Sequence, residues 1–196
     1  MPPTTAALKR RAARLAAALA QAVPTPRCGL EFRNPYELVA ATILSAQCAD
    51  RKVNLVTPAL FAAYPGPREL AAAAPAAVER HIHSLGLFRA KAKNLIGMAK
   101  ALLLDFGGVV PATIDELVRL PGVGRKTANC VLVNAFHLPG IMVDTHCLRL
   151  VARWGLTAAT DPVKVEMALK ALLPEKEWSV FSERVIAFGR AVCAAR

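Results

Sequence analysis

The sequence lacks the long apolar runs that cross membranes. No stretch approaches ~20 residues without a charge, although 55% of the 196 residues are hydrophobic. The N-terminal segment places basic residues before an alanine-rich run, as a secretory signal does, but Arg14 interrupts the apolar part. We therefore expect no membrane association. We interpret the segment as an amphipathic helix whose basic residues point outward, namely Lys9, Arg10, Arg11 and Arg14.

Closely spaced cysteine pairs are also missing. The five cysteines are Cys28, Cys48, Cys130, Cys147 and Cys193, and no two of them form a Cys-x-x-Cys pair. Without a signal peptide we expect them to be reduced, and most of them to be small buried apolar residues. His146 beside Cys147 could suggest a thiol protease. We disfavour that interpretation because adjacent helical residues point in different directions and the apolar neighbours favour burial.

Strand signals are nearly absent, whereas helix signals are dense. Residues 34–37 (Asn-Pro-Tyr-Glu) form a capping box with proline at the first helical position, and residues 113–116 form another. The pair Gly107-Gly108 predicts the end of a long helix over 89–106. Hydrophobic periodicity predicts further helices over about 51–64, 67–74, 75–84, 126–136, 145–154, 162–173 and 178–192. The expected fold class is all-α.

Acidic residues are scarce. The chain has 14 of them against 25 lysines and arginines, which gives a net charge of +11. Such a protein is expected to bind a polyanion, and the nucleic-acid backbone is the commonest one. The turn Pro121-Gly122-Val123-Gly124 fits this expectation, because its glycines allow close backbone approach and the next helix offers unpaired N–H groups. A Gly-x-Gly turn alone, however, is more often a tight connection without a ligand.

Lys126 follows this turn and has two interpretations. It is either a solvated charge that contacts phosphate or an amine nucleophile. A nucleophilic amine must be uncharged, which desolvation, a neighbouring cation and a helix N-terminus favour; Arg125 and the helix start supply two of these three. Asp144 begins the next apolar run. Aspartate is a favoured N-cap residue, and as a cap it would contribute about 1 kcal/mol of stability. A capping carboxylate can also face an active site.

The string LPGVGRKTAN, followed eighteen residues after its lysine by the aspartate of VDTH, resembles a known motif. It is similar to the helix-hairpin-helix, Gly/Pro-rich loop and aspartate of the endonuclease III family of DNA glycosylases. The segments NPYELVAATILSAQCAD and LGLFRAKAKNLIGMAK also resemble this family, and the resemblance extends from about Arg33 to Cys193. It implies that Lys126 attacks C1′ of the damaged nucleotide and that Asp144 assists.

The resemblance also implies how the chain would hold DNA. Gln47 would fill the gap left by a flipped nucleotide, and Leu87 would be a wedge in the base stack. From the residues alone, Gln47 is an ordinary helix-end residue and Leu87 a core residue near a turn. Three cations after Leu87 would bind phosphates, although such a run is usually a solvated face: Arg89, Lys91 and Lys93. The implied DNA-binding set further includes Pro121, Gly122, Val123, Gly124, Arg125, Thr127 and His146.

For the architecture, the resemblance implies two helical domains that flank a DNA-binding groove. Residues 28–138 would form a six-helix barrel that contains the helix-hairpin-helix. Residues 1–27 and 139–196 would form a terminal helical domain. Lys126 and Asp144 would face each other across the mouth of the groove.

The family usually holds a [4Fe–4S] cluster with four C-terminal cysteines. The segment FGRAVC at 188–193 resembles the start of that region, so Cys193 would be a remnant of the ligand set. The sequence given ends at Arg196, before the other three ligands, so either this member of the family lacks the cluster or the sequence is truncated. The remaining cysteines lie in segments that cannot replace them without rearranging the core. We therefore predict that the chain as given binds no cofactor.

The implied function is base excision repair. The substrate would be double-stranded DNA containing an oxidised pyrimidine or an abasic site. Lys126 would form a Schiff base with the opened sugar, and β-elimination would cut the strand 3′ to the lesion. Two alternatives remain: a mismatch-directed monofunctional glycosylase of the same fold, which Lys126 argues against, and a non-catalytic helix-hairpin-helix module. We expect a monomer in the cytoplasm, associated with the nucleoid.

Overall fold

The computed structural model describes residues 3–193, and over that range it contains helices but no strands. The all-α prediction is confirmed. None of the helices in this range is both long and apolar enough to cross a membrane. The helices are α1 (Thr5–Ala22), α2 (Pro35–Leu44), α3 (Asp50–Ala63), α4 (Pro67–Ala71), α5 (Pro75–Ile82), α6 (Phe88–Phe106), α7 (Ile114–Leu117), α8 (Arg125–Ala135), α9 (Thr145–Arg153), α10 (Pro162–Leu172) and α11 (Trp178–Ala191), with a 3-10 turn at Glu175–Glu177.

The helix boundaries follow the capping residues. The side-chain oxygen of Asn34 accepts a hydrogen bond from the backbone N–H of Glu37 at 3.0 Å, at the start of α2. Thr113 accepts one from the N–H of Glu116 at 3.3 Å, at the start of α7. Gly107 ends α6 with a φ of 61°, which glycine adopts at little cost. The predicted helices therefore agree with the structure to within a few residues at each end.

The chain divides into two compact units, of which the central unit comprises residues 29–137. Its innermost helix is α2, where every residue from Tyr36 to Leu44 is buried. A helix buried on all sides must be apolar on all sides. Two buried residues of α2 are polar, and both have partners. Glu37 accepts hydrogen bonds from the backbone N–H of Arg33 at 2.8 Å and from its guanidinium at 2.6 Å, and the hydroxyl of Thr42 donates to the carbonyl of Val39 at 2.7 Å. α2 packs against α3, α6 and α8.

The terminal unit combines the residues up to 28 with those from 138 onward. Its core brings together Leu19 of α1, Leu150 of α9, Leu169 of α10 and Phe181 of α11. Joining the two ends of the chain in one core means that α1 cannot be removed without exposing apolar surface on α9–α11.

Basic side chains reinforce this joining of the two ends. The guanidinium of Arg11 donates to the carbonyl of Gly155 at 3.0 Å, just past the C-terminal end of α9. A cation there interacts favourably with the helix dipole. Arg184 of α11 donates to the carbonyl of Val23 at 3.1 Å, just past the end of α1. Part of the basic charge in the terminal unit therefore has a structural role.

Candidate functional site

The hairpin turn, residues 121–124, connects α7 to α8 in the central unit. Val123 is buried and anchors it, whereas Pro121, Gly122 and Gly124 are exposed. Gly122 has a φ of 81°, a backbone conformation that residues with a side chain rarely adopt. Gly124 is the N-cap of α8. The turn thus presents bare backbone next to the N-terminus of an 11-residue helix, an arrangement that suits an anion such as phosphate.

The hairpin turn rests directly on α6. A Cβ at Gly122 would lie 2.9 Å from Cβ of Asn94, and a Cβ at Gly97 would lie 3.2 Å from Cβ of Pro121. Both glycines therefore allow the close approach that seats the turn. Asn94 and Gly97 were missed from the sequence as supporting residues. A glycine inside a long helix was the available signal, since it costs stability unless it has a packing role.

Leu87 lies at the N-cap of α6 with a left-handed backbone, φ 59°. Its side chain is 60% exposed, so its interpretation as a core residue is wrong. The left-handed conformation costs a residue with a side chain about 1–2 kcal/mol. An exposed leucine held in a strained conformation gains little from packing, which points to a functional constraint at this position.

Gln47 shares this unusual backbone. It follows α2 in a short turn that is closed by the N–H of Cys48 donating to the carbonyl of Ser45 at 3.0 Å. Its φ is 54° and its side chain is exposed. Among the non-glycine residues of the described range 3–193, positive φ occurs at Gln47, Leu87 and His137. Two of these three are the residues that the resemblance assigns to insertion into DNA.

The cations after Leu87 do not form one uniform face. Arg89 and Lys93 are exposed, as phosphate-binding residues should be. Lys91 is only 3% exposed. The expectation of a phosphate contact, and equally of a solvated face, is therefore wrong for Lys91. Burial lowers the pKa of its ammonium group, and the neighbouring Cys48 thiol acts in the opposite direction.

Lys126 lies on the first turn of α8 in the central unit, and its side chain is exposed. Asp144 lies in the terminal unit, where it caps α9. Its Oδ1 accepts a hydrogen bond from the backbone N–H of Cys147 at 2.8 Å, which confirms the predicted capping role. The amine is therefore accessible to a large substrate. The carboxylate is held in orientation by its own helix.

The residues that follow Asp144 are closely packed. His146 contacts α11, where a Cβ at Gly189 would lie 2.7 Å from its own Cβ. Its Nδ1 lies 3.2 Å from the guanidinium of Arg149. The adjacent Cys147 is fully buried, and burial raises the pKa of its thiol to about 12. A thiolate does not form there near neutral pH, so the thiol-protease interpretation is excluded.

Known proteins are similar to this chain in sequence. The model of the HhH-GPD superfamily base excision DNA repair protein matches residues 40–175. The chain belongs to this superfamily. The endonuclease III of Synechocystis sp. is 49% identical over 192 residues, which is 97% of this chain and 88% of the relative. That of Bacillus subtilis is 47% identical over 174 residues, covering 88% and 80%. The family resemblance inferred from the sequence is confirmed.

Solved structures of other proteins have the same fold. An endonuclease III trapped in a covalent intermediate with DNA is 42% identical with a TM-score of 0.92, over 96% of this chain and 89% of that one. A thermostable thymine-DNA glycosylase, 22% identical, shares the fold with a TM-score of 0.83 over 95% and 89%. The HhH-GPD match spans the hairpin turn, Gln47, Leu87, Lys126 and Asp144.

The [4Fe–4S] cluster found in part of this superfamily does not fit the described residues. A cluster needs about four thiolates. Between residues 3 and 193, no group of three or more His, Cys, Asp and Glu side chains is placed to hold a metal ion. Cys193 instead contacts arginines of α9: its carbonyl accepts from Arg149, and its sulfur lies 3.4 Å from the guanidinium of Arg153.

Proposed function

We propose that this HhH-GPD protein is a base excision repair DNA glycosylase with AP lyase activity that acts on oxidised pyrimidines and abasic sites in duplex DNA. One observation carries the proposal. An exposed amine, Lys126, begins the helix after the hairpin turn, in a chain 42% identical to an endonuclease III caught in a covalent intermediate with DNA. A covalent intermediate requires a nucleophile that a nucleotide can reach, and Lys126 meets that requirement.

Binding begins with the phosphate backbone. The net charge of +11 attracts the duplex, and the hairpin turn, with Arg125 and Thr127 beside it, holds a phosphate at the start of α8. Arg89 and Lys93 contact the backbone near Leu87. His146 contributes on the side of the terminal unit. These contacts fix the register of the protein on DNA and do not by themselves identify the lesion.

Extrusion of the damaged nucleotide follows. A base inside the duplex is out of reach of any side chain, so it must be flipped out at a cost of a few kcal/mol. Gln47 occupies the gap that the nucleotide leaves, and Leu87 enters the base stack beside it. Both side chains are exposed in the free protein, and both have a fixed left-handed backbone. Insertion therefore needs little rearrangement of the protein itself.

The chemical step uses Lys126 and Asp144. The uncharged amine attacks C1′, the bond from C1′ to the base breaks, and the base leaves with a proton. Opening of the sugar gives a Schiff base between C1′ and the lysine nitrogen. Loss of a C2′ proton then expels the 3′ phosphate, and water releases the lysine. Asp144 accepts a proton from the amine and stabilises the positive charge that develops on the sugar.

DNA itself completes the environment of Lys126. The free protein leaves this side chain exposed, whereas an uncharged amine is favoured by removal of water. The bound duplex excludes water from the Lys126 amine when it covers the start of α8. The positive end of the α8 dipole and Arg125 act in the same direction. We therefore assign activation of the amine to the complex with DNA.

Borohydride trapping tests the proposal. The wild-type protein should form a covalent adduct with DNA containing thymine glycol or an abasic site, and Lys126→Ala should form none. Because Lys126 is exposed, its removal should leave thermal stability unchanged. Lys164→Ala, which removes an exposed lysine of α10, is the matched control and should trap as the wild type does. Tight DNA binding without a wild-type adduct would leave a monofunctional enzyme or a binding module.

The substrate also indicates a location. A repair enzyme of this type acts where duplex DNA is, so we propose association with the bacterial nucleoid in the cytoplasm. Fluorescence microscopy of a tagged protein should show it coincident with a DNA stain. A uniform distribution through the cell, or one that excludes the nucleoid, would contradict this location.

A further inference from the structure

Lys91 is a buried amine to which the proposed reaction assigns no role. It lies on α6, is 3% exposed, and its Nζ has no hydrogen-bond partner among residues 3–193. A lysine usually extends its ammonium group to water while its methylene stem packs against apolar surface. Lys91 does not. Burying such a group without a partner is strongly unfavourable, and a methionine would fill the same volume without that penalty.

The position of Lys91 connects it to both insertion residues. Its backbone N–H donates to the carbonyl of Leu87 at 3.0 Å, so it lies one helical turn below the wedge. Helical side chains lean toward the N-terminal end of their helix, which carries the amine of Lys91 back beneath the Leu87 turn. α6 also packs against α2, the helix that leads into the Gln47 turn. The electrostatic interaction between Lys91 and Cys48 places the residue after Gln47 within its range.

We propose that Lys91 is a positioning residue whose buried amine joins the Gln47 turn to the Leu87 helix start and keeps the two side chains aligned for insertion into DNA. The amine finds its hydrogen-bond acceptor on the Gln47 turn when both segments engage the duplex. The inference rests on the proposed function, because it assigns Lys91 to the extrusion step of that reaction. It explains why an unfavourable group is present one helical turn from Leu87 and within electrostatic range of the residue after Gln47.

The test separates extrusion from chemistry. Lys91→Met keeps the side-chain volume and removes the amine; Lys100→Met, an exposed lysine of the same helix, is the matched control. Each protein is assayed for β-elimination at an abasic site in single-stranded DNA, where nothing has to be flipped, and for single-turnover excision of thymine glycol from duplex DNA. A 2-aminopurine base opposite the lesion reports loss of stacking on insertion, and thermal unfolding reports stability.

For Lys91→Met we expect an unfolding temperature equal to or above that of the wild type, and single-strand cleavage within about twofold. Misaligned reacting or inserting groups lower rates by up to about 100-fold, so duplex excision should fall at least about tenfold. The 2-aminopurine signal should be lost. Lys100→Met should match the wild type in all four measurements.

Two results would overturn the inference. One is duplex excision by Lys91→Met within twofold of the wild type. The other is a lowered unfolding temperature, or a failure to fold, with single-strand and duplex cleavage reduced alike, which would make Lys91 a structural residue. Neither outcome bears on the proposed function, which fails separately if the wild type gives no borohydride-trapped adduct.

Discussion

Replacing Leu87 with glycine should separate the stability of the protein from its ability to open DNA. The side chain is 60% exposed, so little buried area is lost. Relief of the left-handed backbone at φ 59° contributes about 1–2 kcal/mol. Glycine raises the entropy of the unfolded chain at a cost of about 0.5–1 kcal/mol. The free energy of unfolding should therefore stay the same or increase by up to about 1.5 kcal/mol.

This change is measurable as a shift in thermal unfolding. For a protein of this size, 1 kcal/mol corresponds to about 2–4 °C. Leu85→Ala is the matched control two residues earlier, because Leu85 is 2% exposed. A truncation of this kind in a core costs about 2–5 kcal/mol. Circular dichroism should show Leu87→Gly melting at or above the wild-type temperature and Leu85→Ala melting well below it.

Activity should change in the opposite direction. Unstacking a base costs a few kcal/mol, and the wedge offsets part of that cost. If Leu87 contributes about 1.4 kcal/mol, its loss slows single-turnover excision of thymine glycol about tenfold. The reasoning is refuted if Leu87→Gly destabilises the fold as much as Leu85→Ala does, or if it excises the base at the wild-type rate.

Three further predictions test the hairpin turn, the capping aspartate and the buried thiol. Gly122→Ala should lower stability by about 1–3 kcal/mol and weaken DNA binding in fluorescence anisotropy, because its Cβ would meet Asn94 at 2.9 Å with φ at 81°. Gly124→Ala is the control and should change stability far less, because nothing lies within 4 Å of a Cβ there. Equal losses of stability in the two variants would contradict the close seating of the turn on α6. Asp144→Asn should keep the α9 cap and the thermal stability but lose base excision, whereas Asp144→Ala should also lose about 1 kcal/mol of stability. Full excision by Asp144→Asn would show that the carboxylate serves only as a cap. Burial raises the pKa of the Cys147 thiol from 9.0 to about 12, so its contribution to stability is complete below pH 9 and is lost as the pH rises toward 12, by at most about 1.4 kcal/mol per pH unit. Urea denaturation across that range should show a shallower decline in the free energy of unfolding for Cys147→Ala than for the wild type. The same decline in both proteins would contradict the raised pKa.

The helices were predictable because their signals are local. The Asn34 and Thr113 caps and the Gly107 stop each act within one helical turn, and the sequence shows all of the residues involved. The same holds for Asp144, whose cap partner is three residues away. An all-α chain with frequent caps therefore reveals most of its secondary structure without knowledge of its tertiary contacts.

The supporting residues of the site were not predictable in this way. Lys91 stands between Arg89 and Lys93 in the sequence, and only the packing of α6 shows that the middle cation of the three is buried. The seating of Gly122 on Asn94 joins residues 28 positions apart. Likewise, the exposed position of Leu87 depends on a left-handed residue that no sequence pattern specifies. The roles of Lys126 and Asp144 in the reaction remain predictions.

α6 carries Leu87, the proposed wedge, at one end and seats the hairpin turn ten residues later, at Gly97. At about 1.5 Å per residue these points are ~15 Å apart along the axis, which is roughly four nucleotide steps of ~3.4 Å along one strand. If the hairpin turn binds a phosphate and Leu87 is the wedge, a single helix thus sets the distance between that phosphate and the nucleotide at which Leu87 inserts. One residue inserted between Leu87 and Gly97 would rotate the two ends of this segment by about 100° relative to each other. The enzyme would then still bind DNA, but Leu87 would no longer meet the same nucleotide.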